Sequence, residues 1–221
     1  FAFVFNLTQS QILDKKSNLK KSTGYFTFHY DENEDKVYLE VDKLNTDFLY
    51  VYSLSQGVGS NDIGLDRGQL GNEQVVYFQK AGNKLLLVQP NLKFRANSDN
   101  LLEKRSVEQA FAKSVLFGFE IKQKIGSTYL IDFTPFLLRD AHGVAKRLKS
   151  TNQGSYKLDL GKSALAMERT KAFPENSEFE AMLTFEGEGT GDFIQSVAPN
   201  SDLVTVLQHH SFIKLPDNGY K

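Results

Sequence analysis

The sequence predicts a β-rich α+β fold, with mostly antiparallel strands joined by hairpins and two main helices near 100–114 and 134–149. Three observations carry that expectation. Apolar residues alternate with polar ones along much of the chain, as at Phe26, Phe28 and Tyr30 and again at Val37, Leu39 and Val41. Short turn signals divide these runs, among them Ala81-Gly82-Asn83 and Lys124-Ile125-Gly126. Helical spacing with start signals occurs in two windows, one after Ser98 and Asp99 and one after Thr134-Pro135.

The elements follow in chain order. Phe1 to Phe5 is a short apolar run leading into a Lys-rich stretch, so residues 1–21 read as an arm or tether and 22–221 as one domain. The alternation at 26–30 and 37–41 around the polar turn Asp31 to Asp35 makes a hairpin. Phe48 to Leu54 is apolar almost throughout and reads as a central strand buried on both faces. Gln74–Lys80 and Lys84–Gln89 form the next hairpin, which Pro90 ends, and Leu92, Phe94 and Ala96 suggest a short edge segment. Leu101, Leu102, Val107, Ala110 and Phe111 mark the stripe of the first helix. A hairpin over 115–123 and 127–133 precedes the second helix, whose stripe is Leu137, Leu138, Ala141, Val144, Ala145 and Leu148, with Arg147 and Lys149 in its last turn. Four more strands are expected around 156–160, 164–168, 179–185 and 203–215.

A chain of 221 residues is long enough for a real core, burying roughly 70% of the surface its unfolded chain exposes. With 26 basic against 27 acidic residues its net charge is -1, which argues against nucleic acid or a membrane surface held by bulk charge. The absence of cysteine excludes disulfides and thiolate metal sites. No apolar run has the length of a membrane span. A start at Phe1 without a leader-like run suggests a processed or trimmed piece.

The densest local signal is Gly57-Val-Gly-Ser-Asn-Asp-Ile-Gly-Leu-Asp-Arg-Gly-Gln-Leu-Gly71. Ordering so many glycines is entropically costly, so this run reads as a shaped loop, with Ile63, Leu65 and Leu70 as buried anchors and Asp62, Asp66 or Arg67 holding it by hydrogen bonds. It carries neither a Gly-Lys-Ser phosphate cradle nor the third glycine and following helix of a dinucleotide site. Asp62 and Asp66 with intervening carbonyls offer oxygens to calcium, but the EF-hand spacing is missing and Asx turns explain them more simply. No His-Glu-x-x-His occurs around His29, His142, His209 or His210. His209 and His210 lie in a strand-like run, so their rings point to opposite faces and do not chelate one ion together. His142 beside Asp140 has no Gly-x-Ser-x-Gly nucleophile to serve. Neither catalytic nor metal-ligating residues are therefore assigned in this stretch, and no cofactor.

Five segments in order resemble a known family: the glycine run 57–71, Leu86-Leu-Val-Gln-Pro-Asn-Leu92, Phe136-Leu-Leu-Arg-Asp-Ala-His-Gly-Val-Ala145, Thr170-Lys-Ala-Phe-Pro174, and Ser196-Val-Ala-Pro199 with Gln208-His-His-Ser-Phe212. Over about Ser22 to Lys221 the chain is similar to the amino-terminal domain of large, exported, Bacteroidetes-type zinc metalloproteases. In those proteins a met-zincin-like catalytic domain follows, so the resemblance implies that the zinc motif lies beyond Lys221 and that this part is non-catalytic. It also implies an exported protein whose partner is the downstream catalytic domain of the same chain. Asn61, Asp62, Asp66 and Arg67 of the loop, with His209 and His210, are then the residues expected to face that domain. A second reading is an independent peptide- or glycan-binding β domain that uses Tyr25, Tyr38, Tyr50 and Tyr52.

Overall fold

The computed structural model describes Leu13 and residues 18–217. Its strands are β1 (Lys20–Ser22), β2 (Phe28–Asp31), β3 (Lys36–Val41), β4 (Phe48–Gln56), β5 (Leu70–Ala81), β6 (Lys84–Gln89), β7 (Ser114–Ile125), β8 (Thr128–Asp132), β9 (Gly154–Leu165), β10 (Lys171–Ala172), β11 (Asn176–Gly189) and β12 (Leu203–Lys214). The helices are α1 (Leu101–Ala110), α2 (Thr134–Leu137), α3 (Val144–Ser150) and α4 (Asp192–Val197). The strands form one antiparallel sheet in the order β1-β2-β3-β8-β7-β6-β5-β4-β12-β11-β10, with β9 also paired to β11. The fold is thus α+β and β-rich, as the alternation and turn signals predict.

The sheet curls until its two ends meet. Just ahead of β2, Tyr25 N–H donates to Phe173 O at 2.7 Å. Ser177 Oγ accepts from Phe26 N–H at 3.0 Å and donates to Phe26 O at 3.1 Å. Inside the curl the inward residues of alternate positions are aromatic, and Phe26, Phe48, Phe78, Phe133, Phe136, Phe179 and Phe212 are all buried. Ring pairs such as Phe26–Phe48 at 5.1 Å and Phe133–Phe179 at 5.2 Å meet edge to face, where the positive ring edge meets the negative ring face. Burial of each such ring contributes about 1.5–3 kcal/mol against the entropy of ordering the chain. A second cluster, built on Leu54, Ile63, Leu65, Val144, Leu148, Phe185 and Val206, lies where the 57–69 loop and α3 cover the sheet.

Several expectations need correction. The helix expected over 134–149 is two short helices, α2 and α3, because Asp140 turns the chain between them: its Oδ1 accepts from Gly143 and Val144 N–H at 2.8 Å each, and its Oδ2 from Ala145 N–H at 3.1 Å. Gly143 takes the left-handed φ of 78° that this cap needs. The first helix is shorter than 100–114, starts from an Asn100 cap, and buries none of its residues. β4 alternates buried and half-buried positions, so it is not buried on both faces. Residues 92–96 form no strand, β9 is continuous where two segments were expected, and α4 was not anticipated. Lys20 and Lys21 of the expected arm begin β1, and the arm otherwise lies outside the described residues except at Leu13 and 18–19.

Candidate functional site

Alternation along β12 separates its two histidines, as their adjacent positions require. His210 points inward and is fully buried with Gln208 and Phe212, while His209 lies on the outer face. Gln208 Oε1 accepts from His142 N–H at 2.9 Å, and its Nε2 donates to Arg139 O at 2.9 Å and reaches His210 Nε2 at 3.0 Å. An amide nitrogen only donates, so His210 Nε2 accepts and the ring proton sits on Nδ1, which faces Tyr50 Oη at 2.9 Å. Tyr50 Oη also receives Arg139 Nη2–H at 3.3 Å, and the Arg139 guanidinium stacks on Phe136 with Cζ 4.3 Å from the ring centre. Burial above all, then the charges of Arg139 and His209, push the His210 imidazole down to about 3, so it is neutral. Burial likewise lowers His142 against a small opposing pull from Asp140. This chain of bonds ties the 138–143 connection to the floor of the sheet, where Arg139 Nε and His142 Nδ1 are buried without a hydrogen-bond partner among the described residues.

The outer face carries a charged cluster. His209 Nε2 lies 2.8 Å from Glu178 Oε2, and its Nδ1 lies 3.7 Å from Glu180 Oε1. Ser211 Oγ donates to Glu178 Oε2 at 2.5 Å, Asn176 Nδ2 to Glu178 Oε1 at 2.6 Å, and Ser55 Oγ to Glu180. Burial alone would raise the Glu178 carboxyl, but the donors His209, Ser211 and Asn176 outweigh it and hold the group below its ordinary range. Glu180 is 2% exposed because the 166–170 segment folds over it, with Thr170 Oγ1 accepting Glu180 N–H and Arg169 Nη1 3.8 Å from the carboxylate. Ser211 donates to the Glu178 carboxylate and not to an imidazole, so the cluster is not a serine–histidine pair. Among the described residues no group of three or more His, Cys, Asp or Glu is arranged to hold a metal ion.

The glycine loop is shaped, but by other groups than its charged side chains. Val58 N–H bonds Leu65 O at 2.8 Å, Gly68 N–H bonds Leu54 O at 2.6 Å, and Arg147 Nε donates to Ile63 O. Ile63 and Leu65 are buried beneath it, whereas Leu70 is 59% exposed. Asp62, Asp66 and Arg67 make none of these bonds, and Asn61, Asp62 and Arg67 face solvent. Full burial removes His210 from any docking surface, while His209 lies on the outer face of the sheet. Burial also removes Tyr25, Tyr38 and Tyr50 from the surface expected to bind a ligand through aromatics.

Sequence reasoning missed an arm that leaves the sheet between β6 and β7. The Gln89↔Ser114 pair and the Phe94–Phe111 stack, with centroids 4.0 Å apart, close its base. Leu101 and Leu102, 77% and 74% exposed, stand on its helix. The signal available was the wheel of α1 itself: Leu101 and Leu102 do not share a face with Val107 and Phe111, so the helix has no single stripe to bury.

A family model described as a domain of unknown function, DUF5117, matches residues 68–221, well over half of the chain. The chain belongs to the DUF5117 family. Residues 13–57 match a second model, also described as a domain of unknown function, DUF5118. The glycine loop bridges the two matches, yet β3 of the first pairs with β8 of the DUF5117 segment, and β4 pairs with β5 and β12. Searches of curated proteins and of solved structures each return no match. Among the described residues no helix is long and apolar enough to cross a membrane.

Proposed function

We propose that this chain is a non-catalytic module of an exported zinc metalloprotease of the kind it resembles, and that it packs on the downstream catalytic domain and shapes or restrains its cleft. The exposed arm over 90–113 supports this reading. A ten-residue helix with no buried residue is too short to hold itself in water by propensity alone, and two adjacent exposed leucines are expensive to leave in solvent. The arm carries Lys93, Arg95, Lys104, Arg105 and Lys113 against Asp99, Glu103 and Glu108, so its partner presents an apolar recess with an acidic rim. Zinc belongs to the catalytic domain in this reading, and no residue here is assigned to it.

The test is the double variant Leu101→Ser, Leu102→Ser in the full-length protein. Both side chains are exposed, so the isolated chain should keep its stability within about 0.5 kcal/mol. The full-length variant should be cut faster by trypsin between the two domains, and its peptidase activity should change about tenfold, a shift of about 1.4 kcal/mol. An unchanged full-length protein would reject the arm as the docking element.

A further inference from the structure

β5 changes partner half-way along. Its residues 70–76 pair with β4, from Ser53↔Leu70 to Phe48↔Val76, whereas residues 77–81 pair with β6, from Tyr77↔Val88 to Ala81↔Lys84. The β5–β6 ladder ends at Tyr77↔Val88, and Pro90, which has no N–H, follows the end of β6 at Gln89. Among the described residues, the edge of 70–76 that faces away from β4 has no ladder partner. Only a side-chain bond, Gln74 Nε2 to Gln89 Oε1 at 3.4 Å, crosses the gap.

The split leaves a notch of about 420 Å³, walled by Glu73 and Val75 of β5 on one side and by Pro90, Leu92 and Lys93 of the arm on the other. Leu92 on the arm side is 42% exposed, and Leu70, at the start of β5, is 59% exposed. Residues 70–76 contain no proline or lysine to blunt this edge; a register shift opposite Tyr52 bulges the strand at 71–72, and Glu73 places one charge on it. A row of main-chain donors and acceptors without ladder partners, beside a notch of mixed lining in which Glu73, Asn91 and Lys93 stand with Val75 and Leu92, matches an extended strand.

We propose that residues 70–76 of β5 accept an extended segment of another polypeptide by antiparallel or parallel strand addition. An apolar side chain of that segment fills the notch against Val75, Pro90 and Leu92, and a lysine or arginine lies opposite Glu73. Seven residues at about 3.3 Å each set the reach of the site at about 23 Å, a length that one strand covers. The notch shares Pro90, Leu92 and Lys93 with the base of the arm, and the Leu101–Leu102 tip takes no part in it, so strand addition is tested on this chain without the docking of that tip.

The probe is the capped peptide Thr-Val-Lys-Val-Thr-Val, added to the isotope-labelled chain and followed by amide NMR and amide hydrogen exchange. The expected result is saturable binding with Kd below about 1 mM and exchange slowed about tenfold within 70–76 only. A version of the peptide N-methylated at alternate residues keeps its side chains but loses one hydrogen-bonding edge, and should bind about tenfold more weakly. Glu73→Lys, a substitution at an exposed position, should weaken the lysine peptide and restore binding when the peptide's lysine is replaced by glutamate. Equal binding by the N-methylated peptide, or no response up to about 5 mM, overturns the proposal. Concentration-dependent dimerisation that protects 70–76 without peptide would also overturn it, by assigning the edge to a second copy of the chain.

Discussion

His210 shows how much a single residue's role depends on what surrounds it. In the unfolded chain its ring takes up a proton near 6.5, and in the fold only near 3, because the ring is buried and already faces Arg139. Between these values the unfolded state binds the extra proton. The contribution of His210 to stability is therefore complete above about pH 6.5 and is lost as pH falls, by at most about 1.4 kcal/mol per unit. Urea titrations at about pH 7 and about pH 5 should show wild type losing more stability on acidification than His210→Gln does, whatever the variant's absolute stability. Tyr50, Arg139, Gln208, His209 and His142 are common to both proteins, so equal losses would remove His210 as the acid-sensitive group. The opposite orientation of His209 and His210 was legible from their adjacency in a strand. Which of them faces the core was not, because that depends on the register Phe179↔His210 with β11.

At the scale of elements, hairpins with clear turn residues were readable from the sequence, and the connections with their own hydrogen-bonding side chains were not. β2–β3, β5–β6 and β7–β8 form where alternation meets a turn signal. The break between α2 and α3 escaped the periodicity because Asp140 and Gly143 sit within an otherwise helical stripe, and their capping role appears only once the amides of 143–145 point at the carboxylate. The glycine loop was read correctly as shaped but for the wrong reason, since main-chain contacts and Arg147 hold it. At Gly57 an added Cβ would fall 2.1 Å from Leu65 O, so Gly57→Ala must push the two ends of the loop apart. Thermal and urea unfolding should show Gly57→Ala destabilised by about 1–3 kcal/mol. Gly118→Ala, whose nearest neighbour is a side-chain atom at 3.4 Å, should stay within about 0.5 kcal/mol. Equal stability of the two variants would refute the close approach.

For the whole molecule, the strands of the two family matches at 13–57 and 68–221 share one sheet, and among the described residues β3 pairs with β2 and β8, and β4 with β5 and β12. Calorimetry should give one transition, with calorimetric and van't Hoff enthalpies agreeing, and residues 13–57 expressed alone should lack a stable fold. Two separated transitions would show that the matches are independent domains. The sequence by itself determined the class of this protein: alternation, turn residues and charge balance dictate a β-rich antiparallel fold, because side-chain period and turn conformation are local properties. Only the tertiary structure decided that the sheet curls until Tyr25 meets Phe173, that His210 is interior, and that among the described residues α1 buries no side chain and the outer edge of 70–76 has no ladder partner. Those outcomes rest on contacts between residues far apart in the chain, and no local pattern encodes which distant surface will arrive to cover an element.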